Sequence, residues 1–147
     1  AGPAHKKAKR PLLDPQTGDT KKDENGKPIT MLVDELDSGI YLRGNSRSQV
    51  NIWNWPGGSG EVYGYRTNKK LSQEIRAALT PKVKADKPIG EWNRFVITMK
   101  GDRLSVVLNG KKVISKAQLP GVPAKGKLAL QHHGSAIEFA NISIKEL

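Results

Sequence analysis

The sequence predicts an all-β sandwich. Three observations carry that reading: apolar and polar residues alternate with a period of two through most of the chain after residue 38, turn pairs recur between the alternating runs, and helical spacing occurs in one short stretch. Period-two alternation sends successive side chains to opposite faces of a sheet and marks half-buried strands. Many short strands without a strand–helix–strand rhythm exclude a parallel α/β sheet and leave a sandwich, although a closed barrel satisfies the same pattern.

Taken in order, residues 1–30 hold seven basic and four acidic side chains, net +3, together with Pro3, Pro11, Pro15 and Pro28. This is loop composition, and the segment reads as a basic polar loop or insertion ahead of a sandwich domain spanning 31–147. Lys6, Lys7, Lys9 and Arg10 form its basic cluster, and Asn25-Gly26 is a turn pair. In Ile40-Tyr41-Leu42-Arg43, Ile40 and Leu42 face one way and Tyr41 and Arg43 the other. From Gln49 to Trp55, Val50 and Ile52 share one face, and Gln49, Asn51, Trp53 and Trp55 share the opposite one. Leu71, Ile75 and Leu79, spaced by four before Pro81, predict a short helix. Phe95, Ile97 and Met99 alternate along one strand, and Leu104, Val106 and Leu108 along the next, with Gly101-Asp102 turning between them. Asn109-Gly110 is the strongest hairpin signal, because a type I′ turn needs positive φ at both central residues. Leu128 and Leu130 alternate with Ala129, Gln131 and His133 in a further predicted strand. Ile137 and Phe139 are out of phase with Ile142 and Ile144, so a closing strand needs a bulge near Ala140 and Asn141.

Composition narrows the function. The 147 residues contain no cysteine, which excludes disulfides and thiolate-bound metals, and no apolar run of the length a spanning helix needs. The net charge of +11 suggests nucleic acid at first sight. Its distribution argues otherwise: residues 31–65 are net −2 and residues 66–147 net +10, while six of the eight aromatic residues lie between Tyr41 and Trp92, beginning in the acidic stretch. The charge is therefore expected to serve solubility, with no nucleic-acid partner. A polyanion-binding alternative makes a distinct demand: the sixteen basic residues after position 65 must gather on one face.

Phosphate-loop, HExxH and zinc spacings are absent, and no GxSxG elbow marks a serine nucleophile. What stands out is a polar and aromatic face on two adjacent predicted strands: Tyr41 and Arg43 on one, Gln49, Asn51, Trp53 and Trp55 on the other. Rings stack on the apolar face of a pyranose, and amides and guanidinium groups bond its hydroxyls, so the combination suits a sugar. The bland alternative makes Trp53 and Tyr41 core residues. Asp34, Glu35, Asp37, Glu61 and Glu138 are the nearby carboxylates for acid–base work, each of which is more ordinarily a solvated surface group. His133 shares a face with Gln131 and is the better acid, base or metal ligand, whereas His132 turns toward the apolar side with Leu128 and Leu130.

SGIYLRG at 38–44, GEWN at 90–93, LNGKKV at 108–113 and the closing GKLALQHHGSAIEFANISIKEL at 126–147 resemble the 3-keto-disaccharide hydrolase domain family. The resemblance implies a concanavalin-A-like jelly-roll sandwich, in exported bacterial proteins of the periplasm or cell exterior whose signal lies outside this sequence. It also implies cleavage of glycosides, such as 3-keto-disaccharides or 3-keto-glucosides, in which the sugar is oxidised at C3. A ketone at C3 acidifies the hydrogen at C2, so the aglycone can leave by elimination followed by hydration. This route needs a base and a ketone polariser more than a matched carboxylate pair. The expected catalytic groups are His133, Arg43, Glu61 and Glu138, and the expected substrate-binding groups are Asp37, Tyr41, Gln49, Asn51, Trp53 and Gln131. A divalent metal ion is the one cofactor this chemistry leaves open. A non-catalytic carbohydrate-binding module on the same fold, stacking sugar on Tyr41, Trp53 and Trp55, is the alternative. The family's opening LFNG-type strand has no counterpart in residues 1–30, so one or more N-terminal strands of the jelly roll are expected to be missing.

Overall fold

β-branched and aromatic residues gather in the central strands, most densely in the run Phe95-Val96-Ile97-Thr98, and the resulting computed structural model, which describes residues 5–147, is built mainly of antiparallel strands. The first four residues of the predicted N-terminal loop, Pro3 among them, lie outside the described residues. The elements are β1 (Lys7–Pro11), β2 (Thr30–Asp34), β3 (Asp37–Leu42), β4 (Asn45–Trp53), α1 (Tyr63–Arg66), α2 (Gln73–Ala78), β5 (Phe95–Lys100), β6 (Arg103–Leu108), β7 (Lys111–Gln118) and β8 (Ala129–Leu130). They form a two-stranded sheet β1-β2 and two three-stranded sheets, β4-β3-β8 and β5-β6-β7.

The two larger sheets share one core, which makes the architecture an all-β sandwich. Leu42 and Val50 from the first meet Leu104, Val106, Leu108, Val113, Ile114 and Ala117 from the second, with Val62, Tyr65 and Leu79 from the helical segment closing one side. β6 shows the predicted alternation plainly: Leu104, Val106 and Leu108 are fully buried and Arg103, Ser105 and Val107 point outward. The β6–β7 hairpin turns through Asn109 (φ 51°) and Gly110 (φ 80°), as a type I′ turn requires. The predicted helix is α2, started by Ser72, whose hydroxyl accepts the Ile75 N–H at 3.3 Å.

Four elements depart from the sequence reading, β2 among them, since the alternation predicts no strand before residue 38. Lys7–Pro11, read as loop from its basic composition, is a strand that pairs along its whole length with β2. The intervening chain folds back on itself through the bridges Leu13–Thr20 and Lys22–Pro28, so residues 7–34 form a long arm. Local composition hides such a strand because its partner, twenty-odd residues away, supplies the pairing. The one-turn helix α1 is also new. In the closing segment only Ala129–Leu130 pairs, and residues 131–147 carry no strand. Asn141 adopts φ 53° where the phase of the alternation breaks, and Ile142, Ile144 and Leu147 are exposed. Alternation encodes a face to bury, but a strand also needs a neighbour, and β8 pairs through two residues only.

Candidate functional site

The β3–β4 register sets Asp37 opposite Trp53, Gly39 opposite Asn51 and Tyr41 opposite Gln49. On the other side of β3, Tyr41 pairs with Ala129, and the Gln131 N–H donates to the Gly39 carbonyl at 2.8 Å. One sheet face therefore carries His133, Asp37 and Trp53 in one row, Gln131, Gly39 and Asn51 in the next, and Ala129, Tyr41 and Gln49 in a third. This face is the one turned away from the core, since Leu42 and Val50 point the other way into it.

The first row brings a histidine and a carboxylate together. His133 Nε2 stands 3.6 Å from Asp37 Oδ2, with the histidine side chain 59% exposed and the aspartate 17%. The Asp37 N–H donates to Ser135 Oγ at 3.1 Å, which ties the histidine loop to β3. Burial pushes the Asp37 carboxyl above the usual carboxylate range; His133 and Arg10 oppose the shift and Glu35 adds to it.

The same register continued beyond the strand ends brings Glu35 toward Trp55, and there the arm enters. Arg10 of β1 makes a two-pronged pair with Glu35, its Nε donating to Oε2 at 2.9 Å and its Nη2 to Oε1. Its guanidinium lies 4.2 Å from the centre of the Trp55 ring. Trp53 stacks on Trp55 with centroids 3.8 Å apart and planes 4° from parallel, and Tyr63 sets its ring edge-on to both at 6.1 Å. The Tyr63 N–H donates to Asn51 Oδ1 at 3.1 Å, so the polar row under the stack positions α1 above it.

The predicted site residues now divide. Asp37, His133 and Gln131 come together, with Gln131 Oε1 buried and unpartnered among the described residues. Gln49 and Asn51 share the face but bond each other, Asn51 Nδ2 donating to Gln49 Oε1 at 3.1 Å, and both are buried. The Gln49 amide lies over Gly39, where an added Cβ would sit 2.1 Å from Oε1. Trp53 is buried, with its Nε1 donating to the Gly58 carbonyl at 3.0 Å. Trp55 has one ring face against Trp53 and the other under Arg10, so the expected sugar-stacking strip is closed by its own neighbours. Tyr41 is half-buried in the third row.

Three expected catalytic residues stand apart from the His133–Asp37 pair. Arg43 occupies the β3–β4 turn at φ 54°, past the opposite end of β3 from Asp37, and donates through Nη1 to the Gly101 and Pro123 carbonyls at 2.6 and 3.0 Å. Glu61, 2% exposed, is the buried ion-pair partner of Arg66. Arg66 also donates to the Gly18 carbonyl at 3.0 Å, and burial pulls its guanidinium down to about 10, so it stays charged at neutral pH. Glu138 is exposed in the closing segment. Arg10, Glu35 and Tyr63 are the site residues that sequence reading missed as a group. Glu35 appeared among the acids, but nothing local links Arg10 to it. Among the described residues, no three His, Asp or Glu side chains cluster as a metal site would require, and no helix is long and apolar enough to cross a membrane.

A family model described as the 3-keto-alpha-glucoside-1,2-lyase-like domain matches residues 19–145, which takes in both sheets of the sandwich and the His133–Asp37 pair. The chain belongs to that family. It thus sits in a carbohydrate-related enzyme family, in agreement with the resemblance read from SGIYLRG and the closing GKLALQHHG. No curated protein and no solved structure matches the chain significantly.

Proposed function

We propose that this protein cleaves glycosides whose sugar is oxidised at C3, using the outer face of the β4-β3-β8 sheet. The observation that carries the reading is the His133–Asp37 pair, 3.6 Å apart, on a face where Gln49 and Asn51 are fixed by one another and Gln131 Oε1 is left without a partner among the described residues. His133 Nδ1 takes the proton from C2 of the keto sugar. The electron pair of that C–H bond becomes a C1–C2 double bond as the C1–O bond to the aglycone breaks; the aglycone oxygen takes a proton from water, and the imidazolium gives its own proton to the hydroxide left behind. Asp37, 3.6 Å from Nε2, stabilises the imidazolium that forms, and its burial strengthens this interaction. Arg10 spends Nε and Nη2 on Glu35, so its Nη1 remains to polarise the C3 ketone as negative charge develops there. Gln131 Oε1, a buried acceptor without a protein partner, is matched to a sugar hydroxyl. Water added across the double bond completes a net hydrolysis.

The binding-module reading relied on open rings of Tyr41, Trp53 and Trp55, and the stack of Arg10, Trp55 and Trp53 argues against it. The deciding experiment follows aglycone release from a 3-keto-glucoside and from its unoxidised parent, with and without chelator. Release from the keto form alone is expected, and His133→Ala should slow it by about 100- to 10,000-fold, the usual worth of a positioned base. Absence of release from both compounds, with binding intact, overturns the enzyme reading.

A further inference from the structure

The basic residues of the second half of the chain are not spread evenly over its surface. β5, β6 and β7 together carry Lys100, Arg103, Lys111, Lys112 and Lys116 and no Asp or Glu. The register puts Lys100 and Gln118 on either side of Arg103, and Lys112 beside Val107. Lys116, at φ 47° in the β7 bulge, donates its N–H to Ser105 Oγ at 3.0 Å. Arg103, Ser105 and Val107 are the outward residues of β6, so four cations share the outer face of this sheet, across the core from the proposed sugar-cleaving face. Two carboxylates border the patch: Asp102 in the β5–β6 turn is bonded by Gln118 Nε2 at 2.9 Å and lies 3.8 Å from Arg103, and Glu74 of α2 lines a surface pocket with Lys112.

From this arrangement we propose that the outer face of β5-β6-β7 binds an acidic polysaccharide, a polymer of uronate sugars, and so holds the enzyme against carbohydrate that its opposite face works on. The charge complementarity is one-sided and local. Lys100 and Arg103 stand opposite one another on neighbouring strands, ~5 Å apart, and Lys116 and Lys112 carry the positive charge on along β7. Thr98, Ser105 and Gln118 between them offer hydroxyl and amide partners for sugar oxygens. Single-stranded nucleic acid fits less well, because the outward positions of these strands hold no aromatic ring on which a base would stack.

The test measures binding of polygalacturonate, neutral dextran and duplex DNA to the full chain at low and moderate salt. Polygalacturonate should bind and dextran should not. If four contacts behave like those on a nucleic-acid backbone, affinity should fall roughly a hundredfold between about 50 and about 200 mM salt. Arg103→Glu with Lys112→Glu should weaken binding at least tenfold and leave cleavage of a 3-keto-glucoside unchanged; Lys100→Gln with Lys112→Gln is the milder pair should the reversal unfold the sheet. Lys21→Glu with Lys22→Glu, the same charge change on the exposed arm, should have little effect. An equal loss in that arm variant, tighter binding of DNA, or no binding of polygalacturonate at low salt each overturns the proposal.

Discussion

Replacing Arg66 by Met asks whether Glu61 is a catalytic acid or half of a structural pair. Glu61 is 2% exposed and Arg66 7%, and the guanidinium also donates to the Gly18 carbonyl, fastening the arm to α1. Removing one member of a buried pair strands the other charge, at a cost of about 3–5 kcal/mol. The lost bond to Gly18 adds about 1 kcal/mol. Domains are stable by about 5–15 kcal/mol in total, so the variant gives up a large share. At about 2–4 °C per kcal/mol for a chain of this size, the melting temperature should drop by roughly 10–20 °C. Glu61→Gln combined with Arg66→Met leaves no charge behind and should recover most of that drop. Thermal melts followed by circular dichroism read the stability, and keto-glucoside cleavage, measured well below the lower melting temperature, reads the function. An unmoved melting temperature in Arg66→Met refutes the structural reading. So does a large loss of kcat in Glu61→Gln with its stability kept.

Four further outcomes follow from the geometry. Asp37 has its folded value raised by burial, so its contribution favours folding at pH below the unfolded value and is lost as pH rises through the folded one. Asp37→Asn should therefore raise the melting temperature at neutral pH while cutting kcat, and a fall in both would show that the carboxylate is needed for packing. Asp19 is held well below the usual carboxylate range by Lys69 and Arg76, so its stabilisation is present above the unfolded value and lost on acidification. Asp19→Asn should melt earlier than wild type at neutral pH, with the difference closing in strong acid; a gap that persists there contradicts the assignment. Arg43→Asn, which tolerates the positive φ but drops two bonds to carbonyls, should cost no more than about 2 kcal/mol and leave kcat intact, whereas Arg10→Gln should lower kcat sharply. Asn109→Ala should cost about 3 kcal/mol by denaturant unfolding. It puts alanine, which tolerates the left-handed region less well than asparagine, at φ 51° and removes bonds to Ala85, Asn93 and Arg94.

Alternation, turn pairs and family motifs made the sandwich, the short helix and the Asn109-Gly110 hairpin legible in the sequence, because each rests on contacts between residues close along the chain. Two members of the site, Asp37 and His133, were legible as types and faces. Their meeting depends on β3 pairing with the far end of the chain, and the motif order alone pointed to it. Arg10 was invisible as a site residue. It lies among lysines in a loop-like segment and reaches Glu35 and Trp55 because the arm folds back along β2. Arg43 and Glu61 looked catalytic by residue type and were assigned elsewhere by their surroundings, one by a turn with positive φ and the other by a buried partner five residues on.

The sequence by itself determined which side chains share a strand face, since the period of two is a local property of the backbone. It could not say what lies above a face. Tertiary structure decided that: it covered Trp55 with Arg10 and Trp53, locked Gln49 to Asn51 over Gly39, and left His133 and Asp37 open to a ligand. It also gathered cations from three strands onto one outer face, where the linear count of charge showed an excess without a place. The physical reason is common to both faces. Burial, ion pairing and charge density are set by distances between residues remote in the chain, and the register of strand pairing fixes those distances.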